Sequence, residues 1–129
     1  MTTRIDIEHL LDWAFRRESV ETRRNPHGDA LTVYWAVEAL PEPYCSLVKR
    51  QARAGIAPKW QPDPGLSIVN LSELRQARAR YGAWHKTLGV LQRTLEGALQ
   101  TFRVTGPAAP AAPWTISASN LSNRRQQAL

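Results

Sequence analysis

Nine apolar residues constrain this chain more than anything else in it. Leu74, Ala77, Tyr81, Trp84, Leu88, Leu91, Leu95, Ala98 and Phe102 follow one another at alternating steps of three and four. A helix places such positions on one face, because 3.6 residues per turn stack i, i+3, i+4 and i+7 together. The rhythm predicts one long helix over residues 71–104, opened by Asn70 with Glu73 three residues on and stopped by Pro107. Gly82, Gly89 and Gly97 lie off this seam, each weakening the helix by about 1 kcal/mol relative to alanine. An unbroken helix of that length would measure about 51 Å, against a diameter of roughly 36 Å for a compact domain of this size. The rod must therefore bend at a glycine or project. A projecting seam needs cover from another chain, so homo-oligomerisation through residues 88–102 is expected. Packing of the seam against the chain's own N-terminal helices is the competing reading. Tyr81 and Trp84 are bulky for a two-stranded coil and favour a bundle core at their level.

Upstream, Thr3 and Asp6 resemble a capping box ahead of Ile7, Leu10, Leu11, Ala14 and Phe15, which predicts a helix over about 5–18. Asn25-Pro26 and His27-Gly28 mark a loop. Asp29 then caps a second helix over about 30–40, stopped by Pro41. The β-formers from Leu31 to Val37 keep a strand open as the alternative. Pro43 suits the first position of a third helix over about 43–54, and Gly55 suits its end. Residues 56–70 form a proline-rich linker or loop, with Trp60 pinning it to the core and Leu66–Val69 as a short extended piece. Pro107, Pro110 and Pro113 predict an extended arm, followed by a polar tail carrying Arg124 and Arg125. The fold class read from this is all-α. A small helical unit (1–55), a linker (56–70), a long helix (71–104) and an arm with a tail (105–129) follow in order.

Many chemistries find no residues here. The single cysteine, Cys45, excludes an internal disulfide and reads as a small buried filler. No run of 18 apolar residues exists, and charges interrupt the first residues, so neither a membrane span nor a secretory signal is expected, and the expected location is cytoplasmic. His9, His27 and His85 are far apart, no metal motif holds them, and no cofactor is implied. Phosphate-binding glycine loops and nucleophile elbows are absent from the sequence. Glu8 and Asp12, one helical turn apart, read as helix-start carboxylates and not as an acid/base pair. The chain is not expected to be an enzyme. A deep pocket joining His9 or His85 to carboxylates would argue otherwise.

Charge is uneven. Residues 1–64 carry nine Lys/Arg and nine Asp/Glu, whereas residues 65–129 carry eight and two, which accounts for the net charge of +6. Between Pro43 and Leu95 lie Lys49, Arg50, Arg53, Lys59, Arg75, Arg78, Arg80, Lys86 and Arg93, against Asp63 and Glu73. Such a cluster attracts phosphate backbones through counterion release and is the expected nucleic-acid-binding set. Trp60 and Tyr81 lie among these charges and either stack on unpaired bases or belong to the core. Short helices, a linker, a long pairing helix and a proline-hinged tail form an order similar to that of the small DNA-packaging subunits of phage terminases and of some small phage or bacterial regulators. This resemblance in layout implies a small basic helical nucleic-acid-associated protein. The alternative is an adaptor that docks an acidic partner protein through the long helix and the Pro-Trp tail, without nucleic acid.

Overall fold

The structure, a computed structural model, describes residues 2–61 and 71–115. Strand β1 (Thr3–Asp6) leads directly into helix α1 (Ile7–Asp12), which widens into a π-helical turn (Trp13–Arg17). Helices α2 (Gly28–Glu38), α3 (Tyr44–Ala54) and α4 (Leu71–Leu95) follow, and strand β2 (Phe102–Thr105) comes after them. The chain is mostly helical, but a two-stranded parallel sheet corrects the all-α expectation, with Thr3 opposite Phe102, Arg4 opposite Arg103, Ile5 opposite Val104 and Asp6 opposite Thr105.

The strand pair explains two departures from the expected helices. Thr3 donates its backbone N–H to Thr101 O at 2.9 Å and is therefore strand, so it cannot cap. Asp6 does the capping, with its Oδ1 accepting from Glu8 N at 2.9 Å, and the first helix begins at Ile7 instead of residue 5. At the other end the long helix stops at Leu95, short of residue 104. Gly97 takes φ 77°, a left-handed conformation that costs glycine nothing and terminates helices. The heptad rhythm runs on past this point in the sequence, but Ala98 lies exposed in the turn, Leu99 enters the core in its place, and Phe102 belongs to β2.

Residues 31–37 are helical, which settles the strand alternative. The cap of α2 is His27, whose Nδ1 accepts from Asp29 N at 3.0 Å. Asp29, expected as the cap, is buried and accepts from Gln100 N at 3.0 Å and Thr101 N at 2.7 Å. Pro43 stands just before α3 and Gly55, at φ 70°, ends it. The expected extended piece at Leu66–Val69, the Asn70 cap, the Asp63 carboxylate and the tail with Arg124 and Arg125 lie outside the described residues.

One core joins all the elements. Ile7, Leu10 and Ala14 from the first helix, Val33 and Val37 from α2, and Val48 from α3 meet Trp84, Leu88, Leu91 and Leu95 from α4. Each fully buried aliphatic side chain of this kind stabilises by roughly 1.5–3 kcal/mol. The seam of α4 from Tyr81 to Leu95 is covered by the chain's own helices. With 25 residues, α4 is about 37 Å long, and its buried residues begin at Tyr81, with Leu71 at its start 65% exposed. No helix among the described residues is long and apolar enough to cross a membrane.

The proline-rich segment after β2 returns to α4. Tyr81 Oη donates to Pro110 O at 2.8 Å, and His85 Nε2 donates to Ala109 O at 2.7 Å. Trp114 lies edge-on to Tyr81, with ring centroids 6.0 Å apart, and tilts against Trp60 at 5.7 Å.

Candidate nucleic-acid interface

The nine cations singled out by the sequence do not form one patch. Lys49 pairs with Glu38 and lies over the Tyr34 ring at 5.6 Å. Arg53 forks onto Glu21, with Nε donating to Oε1 at 2.8 Å. This hydrogen bond holds the Glu21 carboxyl below the ordinary carboxylate range and raises the Arg53 guanidinium in turn. Both cations are therefore matched by the chain's own carboxylates. Arg78 turns inward over Trp114, its guanidinium carbon 5.2 Å from the ring, and its Nε is buried without a hydrogen-bond partner. Lys59 is exposed on the loop after α3.

Of the five cations that remain, three share one line. Arg75, Lys86 and Arg93 are exposed on α4, at separations of eleven and seven residues. At 100° per residue those spacings place the three within about 20° of a single line, over roughly 27 Å of axis, on the face opposite the buried seam. Gly82 and Gly89 fall along the same line. A Cβ on Gly82 would meet nothing within 4 Å, and one on Gly89 would meet only the Arg93 guanidinium at 3.9 Å. The line is thus smooth between its charges. Arg50 from α3 and Arg80 from α4 stand apart from it, Arg80 about 140° around the helix from Arg75, and flank the valley between the two helices. Among the described residues, none of these five makes an ion pair, and the single carboxylate of α4 is Glu73 in its first turn.

What this face can do follows from how α4 is seated. The inner face of α4 from Tyr81 to Leu95 is sunk into the core, so its outer face is the part open to a partner. A row of free cations on the outer half can lie against phosphates, which fixes position without reading sequence. Tyr81 is not available for base stacking. It is 3% exposed, its hydroxyl is engaged, and burial, followed by the nearby Glu8 charge, pushes its phenol up. Trp60 is half-buried against Trp114. On the seam, Leu74 and Ala77 are partly covered, and Tyr81, Trp84, Leu88, Leu91 and Leu95 are buried.

The fold also assembles groups that lie far apart in sequence. Arg4 and Arg103 sit in register on the two strands, both exposed, a like-charge pairing that is unfavourable in a sheet. A cleft of about 190 Å³ brings His9 to Glu8 and Asp12, with Arg16, Gln51 and Trp84 in its walls. The Asp12 carboxylate is held by Arg16 at 3.0 Å, and no hydroxyl, thiol or amine lines the cleft. It provides a carboxyl and an imidazole but no nucleophile of the hydroxyl, thiol or amine type. Among the described residues no group of three or more His, Cys, Asp or Glu is placed to hold a metal ion. Cys45 is buried, and burial together with Glu42 pushes its thiol up, which keeps it protonated and inert.

Comparison of the chain with protein-family models, with curated proteins and with solved structures gives no match, so its functional reading rests on geometry and charge.

Proposed function

We propose that this chain binds the sugar-phosphate backbone of nucleic acid through the outward face of α4, without sequence readout. The observation that carries this reading is the line of Arg75, Lys86 and Arg93, with Arg50 and Arg80 at the neighbouring valley between α3 and α4 and no carboxylate of the described residues paired to any of the five. Free cations release condensed counterions on meeting phosphates, whereas cations already held by carboxylates contribute far less. Lys49 and Arg53 therefore drop out of the binding set, and Arg78 acts on Trp114. The role that fits a small basic helical subunit of this layout is a cytoplasmic one, in a phage-type DNA-packaging or regulatory assembly.

Salt dependence tests the reading. Three to five neutralised phosphates give a slope of log K against log salt of roughly −3 to −4.5 for duplex DNA. Affinity should then fall roughly 40- to 500-fold between 50 and 200 mM salt. Replacing Arg75, Lys86 and Arg93 together by glutamine should flatten the slope by about three, measured by fluorescence anisotropy on a labelled duplex. Absence of binding at 50 mM salt, or a slope that the triple variant leaves unchanged, would overturn the proposal.

A further inference from the structure

We propose that the groove between α3 and α4 is a docking site for an acidic amphipathic helix of a partner protein. The groove is formed where the Pro41–Pro43 corner meets the small residues Gly82 and Ala83, which leave room between the two helices. A hollow of about 400 Å³ is walled by Leu40, Pro41, Tyr44, Ala83 and Val90, and a second of about 320 Å³ adjoins it through Tyr44 and Ala83. Tyr44 is 41% exposed and Val90 39%, so two large apolar side chains face water in a concave site while the seam behind them is fully covered. From Arg80 to Val90 the α4 wall runs about 15 Å, the length of nearly three helical turns. That is enough for the i, i+4, i+7 anchors with which a helix lies in a groove.

Charge selects the occupant. Arg50, Arg80 and Lys86 line the two hollows, and no carboxylate does. Of the acids on the neighbouring elements, Glu38 pairs with Lys49, and Glu42 accepts at 2.7 Å from the hydroxyl of Ser46 at the smaller hollow, so three cations stand against one carboxylate there. Three cations around an apolar floor complement a helix with one greasy face and flanking Asp or Glu. A second copy of this chain is disfavoured, because a two-fold contact would set the same cations against one another. A phosphate backbone is disfavoured on the floor itself, where it would find apolar carbon in place of donors. The groove shares Lys86, Arg50 and Arg80 with the nucleic-acid reading, and the two are told apart by the apolar floor on one side and by Arg75 and Arg93 on the other.

The test uses the full chain and two designed 18-residue helical peptides, both with leucine at i, i+4 and i+7, one with glutamate and one with lysine at the flanking positions. The glutamate peptide should bind with shifts centred on the amide signals of Leu40, Tyr44, Ala83 and Val90, and the lysine peptide should not bind. Val90→Glu, which places a like charge on the floor, and Ala83→Leu, which fills it without charge, should each weaken the glutamate peptide by about tenfold or more. Arg75→Gln with Arg93→Gln should leave peptide affinity within about twofold while weakening duplex DNA. Failure of the glutamate peptide to bind, shifts centred elsewhere, or indifference to both floor variants would sink the groove proposal and leave the DNA reading untouched. A 20-base-pair duplex that displaces the peptide and shifts the floor signals would assign the groove to nucleic acid instead. A dimer mass in light scattering that Val90→Glu abolishes would assign it to a second copy. Loss of salt-dependent DNA binding with peptide binding intact would overturn only the nucleic-acid reading.

Discussion

Glu8 lines the cleft beside His9 and Asp12, and burial there pushes its carboxyl above the ordinary carboxylate range, with the charges of Asp6 and Asp12 adding to the effect against an opposing His9. A carboxyl whose pKa is higher in the folded than in the unfolded chain favours folding when protonated. Its contribution is complete below the unfolded value and is lost as pH rises through the folded value. Glu8→Gln removes this loss, because the amide stays neutral at every pH. The variant should therefore be more stable than the parent near neutral pH, and the two should converge as pH falls below the unfolded carboxylate value, as read by urea midpoints across pH. A variant less stable at neutral pH would mean that the Glu8 charge is used productively in the cleft. Glu21 shifts in the opposite sense for an equally local reason, the fork from Arg53. The spacing of Glu8 and Asp12 was visible in the sequence, but the burial that shifts Glu8 needed α3 and α4 to close over it.

At the scale of the element, α4 holds two glycines whose substitution should have opposite signs. Gly82 lies within the helix with open space where a Cβ would go. Gly82→Ala should stabilise by about 0.5–1 kcal/mol by lowering the entropy cost of ordering the helix. Gly97 sits two residues past the end at φ 77°, also with nothing near its Cβ position. Gly97→Ala should destabilise by about 1 kcal/mol or more through backbone strain alone. Thermal denaturation of both variants checks the pair, and equal effects would mean that Gly97 does not set the helix end. A glycine in a sequence signals freedom without saying which conformation is taken. That is why the seam rhythm extended the helix on paper through Ala98 and Phe102, whereas the chain turns at Gly97 and gives Phe102 to a strand.

At the scale of the whole molecule, the start and end of the described chain are tied together. Besides the parallel strands, Ala108 N donates to Asp6 Oδ2 at 2.7 Å, and Gln100 and Thr101 donate to the Asp29 carboxylate. Asp29 is 4% exposed, so its two donors have no ready access to water as a substitute. Asp29→Ala would orphan both N–H groups at a cost of about 2–4 kcal/mol. Asp29→Asn keeps one acceptor and should cost about half as much, in chemical denaturation of the two variants side by side. If Asp29→Ala costs under about 0.5 kcal/mol, the carboxylate does not anchor the segment between α4 and β2. The same long-range closure divides the cations, since Arg53 and Lys49 find carboxylates on the loop after the first helix and on α2, and Arg75, Lys86 and Arg93 do not.

The sequence by itself determined that the chain is mostly helical. Apolar spacing set which face the first and the long helix bury, and Pro41, Gly55 and the Asn25–Gly28 loop set where the helices separate, because these are local consequences of backbone geometry. It also determined that the surplus positive charge falls in the second half. Only the tertiary structure decided the rest. Four-residue strands carry too little local signal to be read before their partner is known, and Thr3–Asp6 has its partner about 100 residues away. Whether an arginine is free or paired depends on which carboxylate the fold brings within reach. The groove between α3 and α4 exists only because a corner of one segment meets two small residues of another.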